Sequence, residues 1–156
     1  MTVQERDKKY FGRGSAAMDL ELSHARGSLI WDVDGKRYID FHAGAGVGTL
    51  GWGNEEIELA LRNSDRPSYV YPHFYYKRWS ELAELLATIT PKGLTRSFRA
   101  TGGSEAVEGA MQMAMMYTGR KKFLSVEGSY HGNTLGALSL GASENRKRFH
   151  NLLPGC

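Results

Sequence analysis

Between Ser28 and Phe41 apolar residues fall at every second position, break at a turn, and resume. Leu29, Trp31 and Val33 alternate with other residues, Asp34-Gly35 interrupts, and Ile39 and Phe41 take the alternation up again. Asp-Gly tolerates the positive φ angles of a two-residue type I′ turn, so this stretch is expected to be a β-hairpin. Residues 1–27 show no comparable order and read as an irregular or partly helical lead-in. Farther on the period lengthens. Ile57, Ala60 and Leu61 share one face of a short helix over Glu55–Arg62. Trp79, Leu82, Ala83, Leu85, Leu86 and Ile89 recur at helical spacing, and Pro91 and Gly93 stop that helix.

The next stretch switches period twice. Arg96–Ala100 is a strand candidate, Thr101-Gly102-Gly103-Ser104 a turn, and Glu105–Thr118 a helix with Val107, Ala110, Met111 and Ala114 on its apolar face. Gly119 closes it and Lys122–Glu127 is a second strand candidate. Strand, helix and strand in succession predict an α/β fold with a mainly parallel sheet and a right-handed crossover. The methionines at 111, 113, 115 and 116 read as core filling. Two segments stay open at this level. The five glycines at 44, 46, 48, 51 and 53 make a loop that either passes close to a ligand or simply connects. Tyr69, Tyr71, Phe74, Tyr75, Tyr76 and Trp79 read as buried packing or a pocket wall ahead of a base-stacking surface.

Composition changes this picture little. The chain has 156 residues, 41% of them hydrophobic and 24% charged, with a formal net charge of +3. Its basic residues form no stripe with interleaved aromatics, so no nucleic-acid partner is expected. No membrane partner is expected either, since the longest apolar run falls far short of a span. Met1–Tyr10 is polar and does not read as a secretory signal. The single cysteine, Cys156, allows no intrachain disulfide and no cysteine metal cluster, which suits a cytoplasmic setting. His24, His42, His73, His131 and His150 are scattered without metal-ligand spacing, so no metal is expected.

The candidate chemistry lies in two loops. Thr101–Ser104 joins a strand candidate to a helix, so its backbone N–H groups sit at a helix N-terminus without intrahelical partners. Glycine lets a phosphate approach the backbone, Ser104 adds a hydroxyl, and the helix dipole favours an anion. On the tetrapeptide alone a plain serine N-cap, with Glu105 and Glu108 complementing the dipole, is the stronger reading. Neither a Walker A loop nor a G-x-G-x-x-G fingerprint is present. Gly128-Ser129-Tyr130-His131-Gly132 follows the second strand candidate. In a parallel sheet the loops at the carboxyl ends of neighbouring strands share one crevice, which would bring Tyr130 beside Ser104. An aromatic ring next to a phosphate seat suits a planar phosphorylated cofactor.

T-G-G-S-E-A-V-E-G-A, Y-T-G-R and S-Y-H-G-N-T-L-G-A-L-S, at this spacing and after W-D-V-D-G-K-R-Y-I-D-F, resemble the class III pyridoxal-phosphate-dependent aminotransferases. The resemblance runs from about Gly27 to Gly155 and is to the N-terminal portion of that family. It implies the PLP-dependent transferase-like fold (fold type I). Residues 1–60 would be an N-terminal segment with the hairpin, part of the small domain, and residues 61–156 an incomplete large PLP-binding domain. It implies pyridoxal 5′-phosphate as cofactor, with Gly103 and Ser104 on the phosphate, Tyr130 stacked on the ring and His131 supporting the ring's surroundings. The Gly44–Gly53 loop would lie near the substrate entrance, although Gly51-Trp52-Gly53-Asn54-Glu55 stands where the family more usually has Gly-His-x-His-Pro.

The implied reaction moves an amino group from a small-molecule amino donor to a keto-acid acceptor. The full-length form would be a homodimer, or be completed by a C-terminal chain. The family's Schiff-base lysine, the aspartate that pairs with the pyridine nitrogen, and a phosphate-binding threonine from the neighbouring subunit come from later sequence. No catalytic residue is therefore assigned here; Lys121 and Lys122 sit at the start of a strand candidate, on the wrong edge. The 156 residues alone are expected to be inactive, and oligomeric, aggregated or partly unfolded. A non-catalytic truncated or split-subunit module, and another fold type I activity such as a lyase or mutase, remain alternatives.

Overall fold

In a computed structural model the chain is described over residues 1–14, 16–141 and 144–156, with the backbone alone at Asn145. It comprises two compact units, Met1–Tyr69 and Val70–Cys156.

The first unit opens with helix α1, Val3–Tyr10, started by a capping box in which the Thr2 hydroxyl accepts from the Glu5 N–H and the Glu5 carboxylate accepts from the Thr2 N–H. Three antiparallel strands follow in the order β1 Leu22–Arg26, β2 Leu29–Asp32 and β3 Arg37–Ile39. The expected hairpin is β2–β3, but its turn is not the two-residue type I′ form. Gly35 takes φ +80 while Asp34 does not enter the positive region, and the closing bonds run from the Gly35 N–H to the Asp32 carbonyl and from the Asp32 N–H to the Lys36 carbonyl. The cause is Asp32. One carboxylate oxygen accepts from the Asp34 and Lys36 N–H groups at 3.1 and 2.8 Å, and the other from the Tyr38 hydroxyl at 2.7 Å. That favours a longer loop with one left-handed glycine.

Strand β1 was not expected in the lead-in, because Leu-Ser-His-Ala-Arg has no alternation and four of its five residues are exposed. What holds it is pairing across the strand: the His24 and Trp31 rings stack with centroids 4.7 Å apart. After β3 the glycine-rich segment coils into one left-handed turn, α2, Ala43–Gly46, with positive φ at all four residues. Left-handed backbone is costly for alanine. The Asp40 carboxylate offsets that by accepting from the His42 and Ala43 N–H groups, both at 2.9 Å, while its other oxygen takes the Trp52 indole N–H at 2.7 Å. Those three donors hold the Asp40 carboxyl below its ordinary range, Trp52 most strongly. The residues that depart from the usual family pattern thus have local work. Trp52 ties back to Asp40, and the Asn54 side chain accepts the Ile57 N–H to cap α3, Glu55–Arg62.

The second unit contains α4 Lys77–Ile89, α5 Gly103–Thr118, α6 Leu135–Leu140 and a short 3-10 turn, Glu144–Arg148. Helix α5 ends on Gly119, left-handed at φ +65, whose N–H reaches the Met115 carbonyl. Its flanks depart from expectation. Arg96–Ala100 and Lys122–Glu127 join no ladder among the described residues, and the one sheet described is the antiparallel β1-β2-β3. A strand exists only where a neighbour accepts and donates its backbone bonds; here the Phe123 N–H meets the Gly155 carbonyl, and Phe98, Leu124 and Val126 stand in solvent, Leu124 fully so. The aromatic segment is not buried either: Tyr69, Tyr71, Phe74 and Tyr75 are all exposed. Tyr71 instead packs locally on His73 and Phe74, and Tyr76 edges Trp79. The buried apolar residues of the described chain are Met111, Ala137, Leu138 and Leu140. All four belong to α5 and α6, where the candidate chemistry also lies.

Candidate functional site

Helix α5 begins without a side-chain cap. Its N-cap is Gly102, extended at φ −170 and ψ 170, so a serine N-cap does not describe this turn: Ser104 lies one residue inside the helix. The N–H groups of Gly103, Ser104 and Glu105 point out of the first turn, where the helix dipole is positive. A Cβ at Gly103 would meet nothing within 4 Å, so the approach is open. Glu105 turns backward, its carboxylate accepting from the Thr101 hydroxyl and N–H. Those bonds, with the nearby Arg99 guanidinium, hold its carboxyl below the ordinary range. Arg99 itself lies over the Trp79 ring, 4.1 Å from its centroid.

Ser104, Glu108 and Met111 fall on one face of α5, and that face meets the segment 132–140. The Ser104 hydroxyl oxygen accepts the Asn133 N–H at 3.2 Å, leaving its proton to be donated elsewhere. Gly132 presses against it: a Cβ there would stand 2.2 Å from the Ser104 Oγ. One turn later Glu108 Oε1 accepts from the Thr134 hydroxyl at 2.6 Å and from the Gly136 and Ala137 N–H groups at 3.0 and 3.2 Å. A Cβ on Gly136 would stand 2.2 Å from Glu108 Oε2. Beyond these contacts α6 sinks inward, with Ala137 and Ser139 fully buried; the Ser139 hydroxyl donates to the Leu135 carbonyl and accepts from the Leu153 N–H.

Of the four sequence candidates, Gly103 and Ser104 share the first turn of α5, and the loop carrying Tyr130 and His131 is bound to that turn at Gly132 and Asn133. Tyr130 is exposed and His131 half-buried, and neither side chain makes a hydrogen bond or ring contact among the described residues. Glu108, Asn133, Thr134 and Gly136 were not singled out as site residues. The available signal was the placement of Ser104 and Glu108 at i and i+4 ahead of Met111, two polar groups on a face that otherwise packs. No group of three or more metal-ligating side chains occurs among the described residues.

The family profile described as aminotransferase class-III matches residues 10–156. An acetylornithine aminotransferase of Haemophilus ducreyi is 34% identical over 155 residues, which cover 95% of this chain and 38% of that protein. The solved adenosylmethionine-8-amino-7-oxononanoate aminotransferase of Methanocaldococcus jannaschii superposes with a TM-score of 0.83 at 31% identity, over 92% of this chain and 36% of that one. The taurine:2-oxoglutarate aminotransferase of Bifidobacterium kashiwanohense, solved with PLP and glutamate, gives 0.84 at 28% identity, over 95% and 35%. The chain thus spans little more than a third of the length of the proteins it matches.

Proposed function

The chain belongs to the class III aminotransferases, fold type I enzymes dependent on pyridoxal 5′-phosphate, and we propose that its residues hold the phosphate and ring of that cofactor in an enzyme transferring an amino group between an amine or amino acid and a keto acid. The observation that carries this reading is the first turn of α5, with uncapped N–H groups at Gly103 and Ser104, open space at Gly103, and a serine hydroxyl whose proton is unused. These donors suit a phosphate: hydrogen bonds to a charged group contribute about 1.5–3 kcal/mol each. The Glu105 carboxylate is a like charge nearby, but it is exposed, screened by water and turned toward Thr101.

Bound there, the cofactor would supply the electron sink on which amino-group transfer depends. The chain's own part is positional. Gly103 and Ser104 anchor the tail, Tyr130 covers one face of the ring, and His131 lines its surroundings, all within the large-domain portion, 61–156. The lysine and the ring-nitrogen aspartate are drawn from sequence outside these residues, in keeping with the fraction of each relative covered, and the 156 residues alone do not turn over. The whole enzyme is read as a cytoplasmic homodimer; no helix among the described residues is long and apolar enough to cross a membrane. Relatives named for acetylornithine, for taurine and for 8-amino-7-oxononanoate all match this segment, so the match itself selects no amino donor.

Titration of the full-length protein with PLP and with pyridoxal, which lacks the phosphate, tests this. Ser104→Ala should weaken PLP binding by about tenfold, the equivalent of one charge-assisted bond, and leave pyridoxal binding unchanged. Equal losses for both ligands, or none, would remove Ser104 from the phosphate seat.

A further inference from the structure

We propose that Glu108 is a positioning residue for the cofactor ring, acting through the loop that carries Tyr130. This rests on the reading of Tyr130 as the stacking residue and asks what holds that residue in place.

Among the described residues no side-chain bond holds it. Tyr130 makes no hydrogen bond or ring contact among the described residues, so the place of its ring is set by the backbone on either side: the turn before it, where the Ser129 N–H and hydroxyl donate to the Val126 carbonyl, and the segment that follows. That segment is fastened to α5 at two points one helical turn apart. At the first, the Asn133 N–H is held by the Ser104 hydroxyl and Gly132 lies against the same side chain. Ser104 is claimed by the phosphate as well, so this point is shared with the ligand. The second point is Glu108, and it belongs to the protein alone.

Glu108 does there what an N-cap ordinarily does. Thr134, at the N-cap position of α6, makes no side-chain bond to its own helix; its hydroxyl donates to Glu108 instead, and the same carboxylate oxygen takes the Gly136 and Ala137 N–H groups. Three donors on one half-buried acceptor, with a glycine at 136 where a Cβ would collide with that carboxylate, make a tight and selective fastening. Without the carboxylate the three donors lose their acceptor and α6 its cap. The stretch from Tyr130 to Thr134 then keeps Ser104 as its one hydrogen-bonded fastening to α5 among the described residues.

The phosphate seat should be spared by the same change, since Gly103 and Ser104 belong to α5 itself. A purely structural role for Glu108 would lower stability and weaken the phosphate and ring contacts together. A positioning role weakens the ring contact selectively and vanishes when Tyr130 is already gone.

The experiment is a double-mutant cycle in the full-length protein, read by PLP affinity, by the circular dichroism that the bound ring acquires, and by inorganic phosphate competition. Glu108→Ala should weaken PLP by about tenfold, a coupling typical of contacting networks, and reduce the ring signal, with phosphate affinity unchanged. Glu108→Gln keeps an accepting oxygen and should recover most of the signal. In a Tyr130→Ala background Glu108→Ala should add nothing. Additive losses, or equal losses for PLP and phosphate, overturn the proposal. If Glu108→Ala fails to fold, Thr134→Val, which removes the hydroxyl donor to Glu108 and leaves the carboxylate its two N–H partners, takes its place in the cycle with Tyr130→Ala, and additivity again overturns the proposal. Normal PLP affinity in both Tyr130→Ala and Ser104→Ala would instead count against the cofactor site itself, and so against the proposal that rests on it.

Discussion

The two compact units are stabilised over different distances along the chain. In Met1–Tyr69 the two organising carboxylates reach short distances in sequence, Asp32 to donors two, four and six residues away and Asp40 to donors two, three and twelve away, and the long tie is made by backbone alone, in the two bonds exchanged by Gly27 and Trp52. No described residue of that unit is buried. In Val70–Cys156 the organising side-chain bonds join residues 26 to 29 apart, Ser104 to Asn133 and Glu108 to Thr134, Gly136 and Ala137, and Gly136–Leu140 of α6 is buried behind them. Two glycines show a related contrast. Gly35 has open space around it and is needed for its backbone angle, whereas Gly136 has an ordinary angle and is needed for the room it leaves to Glu108. In one unit side chains close local turns and backbone pairing spans the longer distances; in the other the side chains themselves interlock across a loop.

Substitutions can break that contrast. The largest effect is expected at Leu138, which is 3% exposed. Leu138→Ala should cost about 2–4 kcal/mol by lost burial and the cavity left behind, measured by chemical denaturation of the full-length protein. A cost below about 1 kcal/mol would mean that α6 is not the packed element described, since Leu→Ala in a core falls well above that. A smaller loss is expected in the first unit. Gly35→Ala should cost about 1–2 kcal/mol, the penalty of a left-handed L-residue, and Gly35→Asn less, because asparagine visits that region more readily. Equal costs for the two would show that space, not backbone angle, selects glycine there, and the contrast with Gly136 would dissolve.

The same difference in range decides what the sequence made legible. Helices α3, α4 and α5 and the pairing of β2 with β3 follow from periodicity and turn residues, which are local signals. Strand β1 escaped because its pattern is carried by partners, His24 on Trp31, and not by its own alternation. The strand candidates at 96–100 and 122–127 have the right residues, but a ladder is a property of neighbours. At the site, Gly103, Ser104, Tyr130 and His131 were visible as motif residues. Glu108 was visible only as an acidic residue near a helix N-terminus, because its partners lie a whole loop away. The geometry makes it the second fastening of the loop on which Tyr130 rides.

The central proposal is a division of labour, in which this chain would carry the cofactor's phosphate and ring contacts and the lysine that holds the cofactor covalently would lie elsewhere. Borohydride reduction of the PLP-loaded full-length protein, followed by peptide mapping, addresses it directly, since reduction fixes the cofactor to that lysine. The account predicts stoichiometric label on a lysine outside residues 1–156, with none on Lys121, Lys122 or any other lysine of the chain. Stoichiometric label on a single lysine within these residues would contradict it.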